Sequence, residues 1–171
     1  VARLLRKTPV YSTTTTAIFR LAPYAVLVTA LASGLLVPVL GNHALVSFPF
    51  DFVWFAYVWG LGRVALMLGA LDTGSSFEGM GASREATYAA ILEPAFFLVA
   101  GALSLVSGQR SFEGIAAFHP SSGASLVVWA TSLVALFIVV QVETARMPVD
   151  DPTTHLELTM VHEAMVLEYS G

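Results

Sequence analysis

The sequence predicts an all-α polytopic membrane helix bundle, with four spans followed by an acidic helix on the cytoplasmic side. Three observations carry this. Hydrophobic residues fill 56% of the 171 positions and charged residues only 12%, whereas soluble domains carry roughly 25% charged residues. Four apolar stretches come close to the ~20 residues that a helix needs to cross a hydrocarbon core. Clusters of chain breakers separate them. With a mean hydropathy of +0.75, the chain is excluded from the disordered, collagenous and coiled-coil classes.

The basic opening, Arg3, Arg6 and Lys7 ahead of Pro9, reads as a charge anchor or a short surface-lying turn before the first span. That span is expected over 21–40 and ends at Gly41-Asn42-His43. The second covers 52–71 and stops at Asp72-Thr73-Gly74-Ser75-Ser76. The residues 72–85 read as a loop, the third span as 86–106, and the fourth, after His119-Pro120-Ser121-Ser122-Gly123, as 126–142. Asp151-Pro152 supplies a helix start and Thr154-His155-Leu156-Glu157 a capping box, so a helix is expected from about Pro152 to Glu168. The whole of 1–171 reads as one membrane domain. The first residue is not Met, which leads to the expectation of a piece of a longer chain.

Counting Lys and Arg on alternate sides of the spans sets the orientation. Arg3, Arg6, Lys7, Arg20, Arg84 and Arg146 fall on one side and Arg110 on the other. The first side, holding the N-terminal segment and 143–171, is therefore expected to be cytoplasmic, in a multi-pass protein of the inner membrane.

There is no cysteine, which excludes disulfides, thiolate zinc sites and iron–sulfur clusters on this chain. An electron carrier must then sit on another chain. His162-Glu163-Ala164-Met165-Val166 begins like a zinc-protease helix but has Val166 where the second histidine belongs. Gly79-Met80-Gly81-Ala82-Ser83-Arg84 lacks the third glycine of a dinucleotide loop, and no span contains a histidine to ligate haem. No metal site is expected.

Two charges lie inside spans. Arg63 is ~13 Å from the cytoplasmic end of the second span, and Glu93 is ~12 Å from the same face of the third. Unpaired charge at that depth costs several kcal/mol, so a pair or a wet cavity is required. Glu93 precedes Pro94, whose missing N–H frees a carbonyl and permits local hydration. After the fourth span, Glu143, Asp150, Asp151, Glu157, Glu163 and Glu168 surround the single Arg146. His155 and His162 form a second stripe on the same expected helix. Two stripes of acids and histidines suit a proton relay as well as a solvated docking face.

Leu61-Gly62-Arg63, Leu71-Asp72-Thr73-Gly74, Gly79 to Glu85, and the run from Glu143 to Gly171 closely resemble the family of formate hydrogenlyase subunit 4 and hydrogenase-4 component C. That family is related to the H (ND1-like) subunit of respiratory complex I. The resemblance implies a heel subunit that docks hydrogenase large and small subunits and an iron–sulfur subunit, and joins them to antiporter-like membrane subunits. The nickel–iron centre and iron–sulfur clusters would sit on those partners, with no cofactor and no catalytic centre in this chain. Lipid is the remaining partner, and no nucleic acid is expected. Coupling to proton or sodium movement would run through Arg63, Glu93, Glu143, Arg146, Asp150, Asp151, Glu157, Glu163 and Glu168. Asp72, Arg84, Glu85, His155 and His162 would serve the cavity or the docking face.

Glu143, Arg146, Pro148 and Asp150 match the complex I pattern Glu-Thr-x-Arg-x-Pro-x-Asp, and Glu168-Tyr169-Ser170-Gly171 matches its second motif. Between Glu157 and Glu168 this chain is longer than the complex I pattern. That favours the hydrogenase branch and leaves quinone binding open. A complex I H-type subunit with a quinone cavity, a stand-alone ion transporter using Arg63 and Glu93, and a passive anchor remain as alternatives.

Overall fold

A computed structural model describes residues 13–39, 43–144, 165, 166 and 169. The elements in them are five helices: α1 (Ala17–Gly34), α2 (Asp51–Asp72), α3 (Ser76–Ser107), the short α4 (Phe112–Ala116) and α5 (Gly123–Glu143). All but α4 are long and apolar enough to cross a membrane. This is a multi-pass membrane protein.

Helix α1 starts and stops earlier than the 21–40 apolar run because its ends are chemically fixed. Thr16 caps the start, its hydroxyl accepting from the Ile18 N–H. The Asp72 carboxylate reaches across from the end of α2 and accepts from the Thr16 N–H at 2.6 Å, the Thr16 hydroxyl at 2.7 Å and the Phe19 N–H at 3.2 Å. Together they satisfy N–H groups that a helix start leaves without intrahelical partners. At the other end the helix stops at Gly34, ahead of Pro38, whose ring disfavours helical geometry in the residue before it.

Helices α1 and α2 form the closest pair in the bundle, through small residues. A Cβ at Gly62 would collide with the Thr29 side chain, and one at Gly69 would stand 2.8 Å from the Ala22 Cβ. Membrane helices gain little from burying apolar groups against each other, so close backbone approach of this kind supplies their packing.

Helix α3 begins at Ser76, so most of the expected 72–85 loop is helical. The breakers are confined to 72–75, where Gly74 takes φ 71°. Beyond them Glu78, Ala82 and Glu85 are buried at helical spacing. Hydropathy favours the apolar 86–106 run and discounts this polar, inward-facing extension. Pro94 lies inside α3 without ending it, as membrane helices allow when neighbours satisfy the freed carbonyl.

Helix α5 opens with a capping box made by Ser122 and Ser125 and runs antiparallel to α3. Met165 is fully buried with Ala70 and Ala82, flanked by Leu66, Met67 and Tyr88. It is thus a point at which the chain beyond the spans returns to the bundle.

Candidate charge-coupling site

Three helices bring four charged side chains together, three carboxylates around Arg63. Its Nη2 lies 3.2 Å from Glu143 Oε1 and 3.5 Å from Glu93 Oε1, and its Nε lies 3.7 Å from Glu85 Oε1. Arg63 comes from the middle of α2, Glu85 and Glu93 from α3, and Glu143 from the last turn of α5. The eight-residue step from Glu85 to Glu93 is about two turns, which lets both carboxylates face the same neighbour.

The Arg63 and Glu85 side chains are each 9% exposed and Glu143 is 17% exposed, while Glu93 is 48% exposed. The guanidinium is therefore deeply set, with its carboxylates graded from buried to open. Among the described residues, Arg63 Nε and Nη1 make no hydrogen bond. Their stabilisation is ionic rather than bidentate.

Two neighbouring residues shape the cluster. Trp59, one turn before Arg63, donates its indole N–H to Glu143 Oε1 at 2.5 Å. Gly60 leaves room for Glu93, whose Oε1 would lie 3.4 Å from any Cβ placed there. Trp59 and Gly60 carry no chemical signature in the sequence, since an indole and a glycine in an apolar run read as packing.

Cavities meet at the cluster. One of about 320 Å³ runs between α2, α3 and α5, lined by Phe55, Trp59, Phe96 and Phe112 along its length and by Arg63, Glu93 and Glu143 at one end. A second, of about 110 Å³, lies on the α1 side, where Thr29, Gly62, Arg63 and Glu85 line it. Arg63 and Glu143 border both. Their charges thus stand between an apolar chamber and a smaller, more polar one.

The remaining sequence-selected residues fall in different places. Asp72 caps α1, and Arg84 is half-buried on α3. Arg146, Asp150, Asp151, His155, Glu157, His162, Glu163 and Glu168 lie outside the described residues. Among the described residues no group of three His, Cys, Asp or Glu side chains is placed to hold a metal ion.

Tyr169 does lie within the described part. Its ring stacks on Phe19 with centroids 4.0 Å apart, and its hydroxyl donates to the Phe19 carbonyl at 2.7 Å. Burial first, and then the charges of Glu78 and Asp72, push its hydroxyl up to about 12. Two further buried acids, Asp51 and Glu78, escape a reading by composition because each stands in the first turn of a helix, where acids are commonplace.

The family model for NADH dehydrogenase matches residues 1–171. The chain is 28% identical over its whole length to hydrogenase-4 component C of Escherichia coli (strain K12), covering 53% of that protein. It is 29% identical over 157 residues to formate hydrogenlyase subunit 4 of the same organism, covering 90% of this chain and 50% of that protein. The chain thus spans about half the length of these curated relatives. A family match from end to end, on a bundle of membrane-length helices that gathers charge around a buried arginine, places this chain in the NADH dehydrogenase family of complex I ND1-like membrane subunits.

Proposed function

We propose that the chain is part of the membrane heel subunit of an energy-coupling nickel–iron hydrogenase complex, similar to formate hydrogenlyase. In this reading it docks the hydrogenase and iron–sulfur subunits on its cytoplasmic side and meets antiporter-like subunits within the membrane. The redox centres belong to those partners, and this chain contributes the charge movement.

One observation carries the reading: a single buried guanidinium faces three carboxylates from two different helices. Charge set in an apolar interior is strongly unfavourable unless it is balanced, so the proton occupancy of these carboxylates is tied to where the Arg63 guanidinium sits. A cluster of this kind responds to field. A change of charge on a docked partner alters which carboxylate Arg63 favours, and the carboxylate it releases takes up a proton. When Arg63 returns, that proton leaves.

Glu143 is the natural entry to this exchange. It ends α5, makes the shortest contact to Arg63 and is held by Trp59. The acidic run that includes Asp150, Asp151, Glu157, Glu163 and Glu168 follows it in the sequence and would supply its protons from the docking face.

The test is Glu143→Gln in the full-length protein, assembled with its partners in sealed vesicles, with hydrogen turnover and ion movement measured together. The amide oxygen can still accept from Trp59. Assembly is expected to survive while ions moved per turnover fall by about tenfold or more, the scale of a lost proton-transfer group. Normal pumping would overturn the relay. Loss of the hydrogenase module from the membrane would instead make Glu143 a docking residue.

A further inference from the structure

Asp51 opens α2 at the end of the bundle remote from Glu143, and its side chain is wholly buried. Its Oδ1 accepts from the Phe112 backbone N–H at 2.8 Å. Its Oδ2 is buried and has no hydrogen-bond partner among the described residues. A loop clamp uses one oxygen. The second, taken out of water and left without a donor, is unfavourable unless it has a use.

The position of Asp51 supplies one. Asp51, Phe55, Trp59 and Arg63 follow each other at four-residue steps, so they run along one side of α2 for ~18 Å. The last three line the larger cavity, and so does Phe112, the residue whose N–H binds Asp51. Phe112 meets Phe55 edge-on at 5.4 Å and Phe52 at 6.3 Å. The cavity is therefore lined by the Arg63 cluster and also by Phe112, whose backbone N–H holds the Asp51 carboxylate just outside the lining. Just beyond Asp51 the protein turns polar. His43 and Glu113 pair at 2.8 Å there, and Arg110 lies over the Phe50 ring at 5.9 Å.

We propose that Asp51 is a second proton station, joined to the Arg63 cluster by a transient file of water through the aromatic cavity. The proposal rests on the reading of that cluster as a relay. An apolar cavity tends to stay dry, so the two stations are insulated at rest. They connect only when water enters, which prevents a free leak. A proton released at the cluster passes along the water file to the Asp51 carboxylate. It then leaves towards the surface near His43 and Glu113, restoring the carboxylate.

The test uses the full-length protein assembled with its partners in sealed vesicles. Asp51→Asn keeps an oxygen for the Phe112 N–H but cannot carry a proton. It is expected to assemble and turn over hydrogen while protons moved per turnover fall by about tenfold or more, with Asp51→Glu recovering part of the loss. Wild-type pumping in Asp51→Asn would overturn the proposal and leave Asp51 a loop clamp. Should that variant not assemble, the wild-type complex decides. Dicyclohexylcarbodiimide takes the proton of a carboxyl group in apolar surroundings on its nitrogen and adds the carboxylate oxygen at its central carbon, and mass spectrometry is expected to find the adduct on Asp51. An unmodified Asp51 would overturn the proposal. If Glu143→Gln uncouples and Asp51→Asn does not, only the second station fails. If Glu143→Gln also pumps normally, the relay reading itself fails.

Discussion

At Arg63 the number of partners decides what a substitution does. Arg63→Leu removes the guanidinium that three carboxylates face, so its effect is expected at the upper end of the ~3–5 kcal/mol that follows removal of one member of a buried pair. Glu93→Gln acts on a half-exposed carboxylate and leaves Glu85 and Glu143 in place. It is expected to be much milder. The double change Arg63→Leu/Glu93→Gln separates a cluster from an isolated pair. For a pair, neutralising both partners relieves the damage. For the cluster, Glu143 still loses the guanidinium it faces at 3.2 Å, and the double variant is expected to assemble no better than Arg63→Leu alone. Yield of intact complex after mild-detergent purification measures this, and full recovery in the double variant would rule the cluster out.

Between elements, Tyr169 joins the segment that follows the spans to the first turn of α1. Tyr169→Phe keeps the stack on Phe19 and removes the hydrogen bond to its carbonyl, an expected loss of about 1 kcal/mol. Thermal unfolding in detergent would record it. The same contact has a pH signature. Folded Tyr169 keeps its proton up to about pH 12, whereas an unfolded tyrosine releases it near pH ~10. The folded state thus binds more protons in between, so the contribution of Tyr169 is complete below the lower value and is lost as pH rises through the higher one. The difference between wild type and Tyr169→Phe should shrink over that window; a constant difference would exclude the hydroxyl as its source. The existence of four spanning helices was legible in the sequence because hydropathy over about twenty residues is a strong signal. The early start of α3 was not, because Glu78 and Glu85 are polar residues that face inward. Similar depth pointed to Arg63 and Glu93 as neighbours, but Glu143 read as the first residue of a polar tail. It reaches Arg63 because α5 continues one residue past its apolar run and turns that residue inward. Depth along a helix can be counted from sequence, whereas the face that meets a neighbour depends on packing between helices.

For the molecule as a whole, the four long helices cross in alternation, so the start of α3 and the start of α5 belong on opposite sides of the membrane. The chain has no cysteine, and single cysteines at Ser76 and Ser122 should react with a membrane-impermeant reagent from opposite faces. The basic residues further predict that Ser76 is labelled from the cytoplasm. Labelling of both from one face would overturn the arrangement. The capping of α1 by Asp72 also bears on how this fold is made. The carboxylate that completes the first turn of α1 lies 56 residues further along the chain than the Thr16 N–H it accepts from. A ribosome must therefore synthesise all of α2 before α1 can be finished. These two spans mature as one hairpin, closed at the membrane face where α1 begins, and the unit of their biogenesis is a pair of helices.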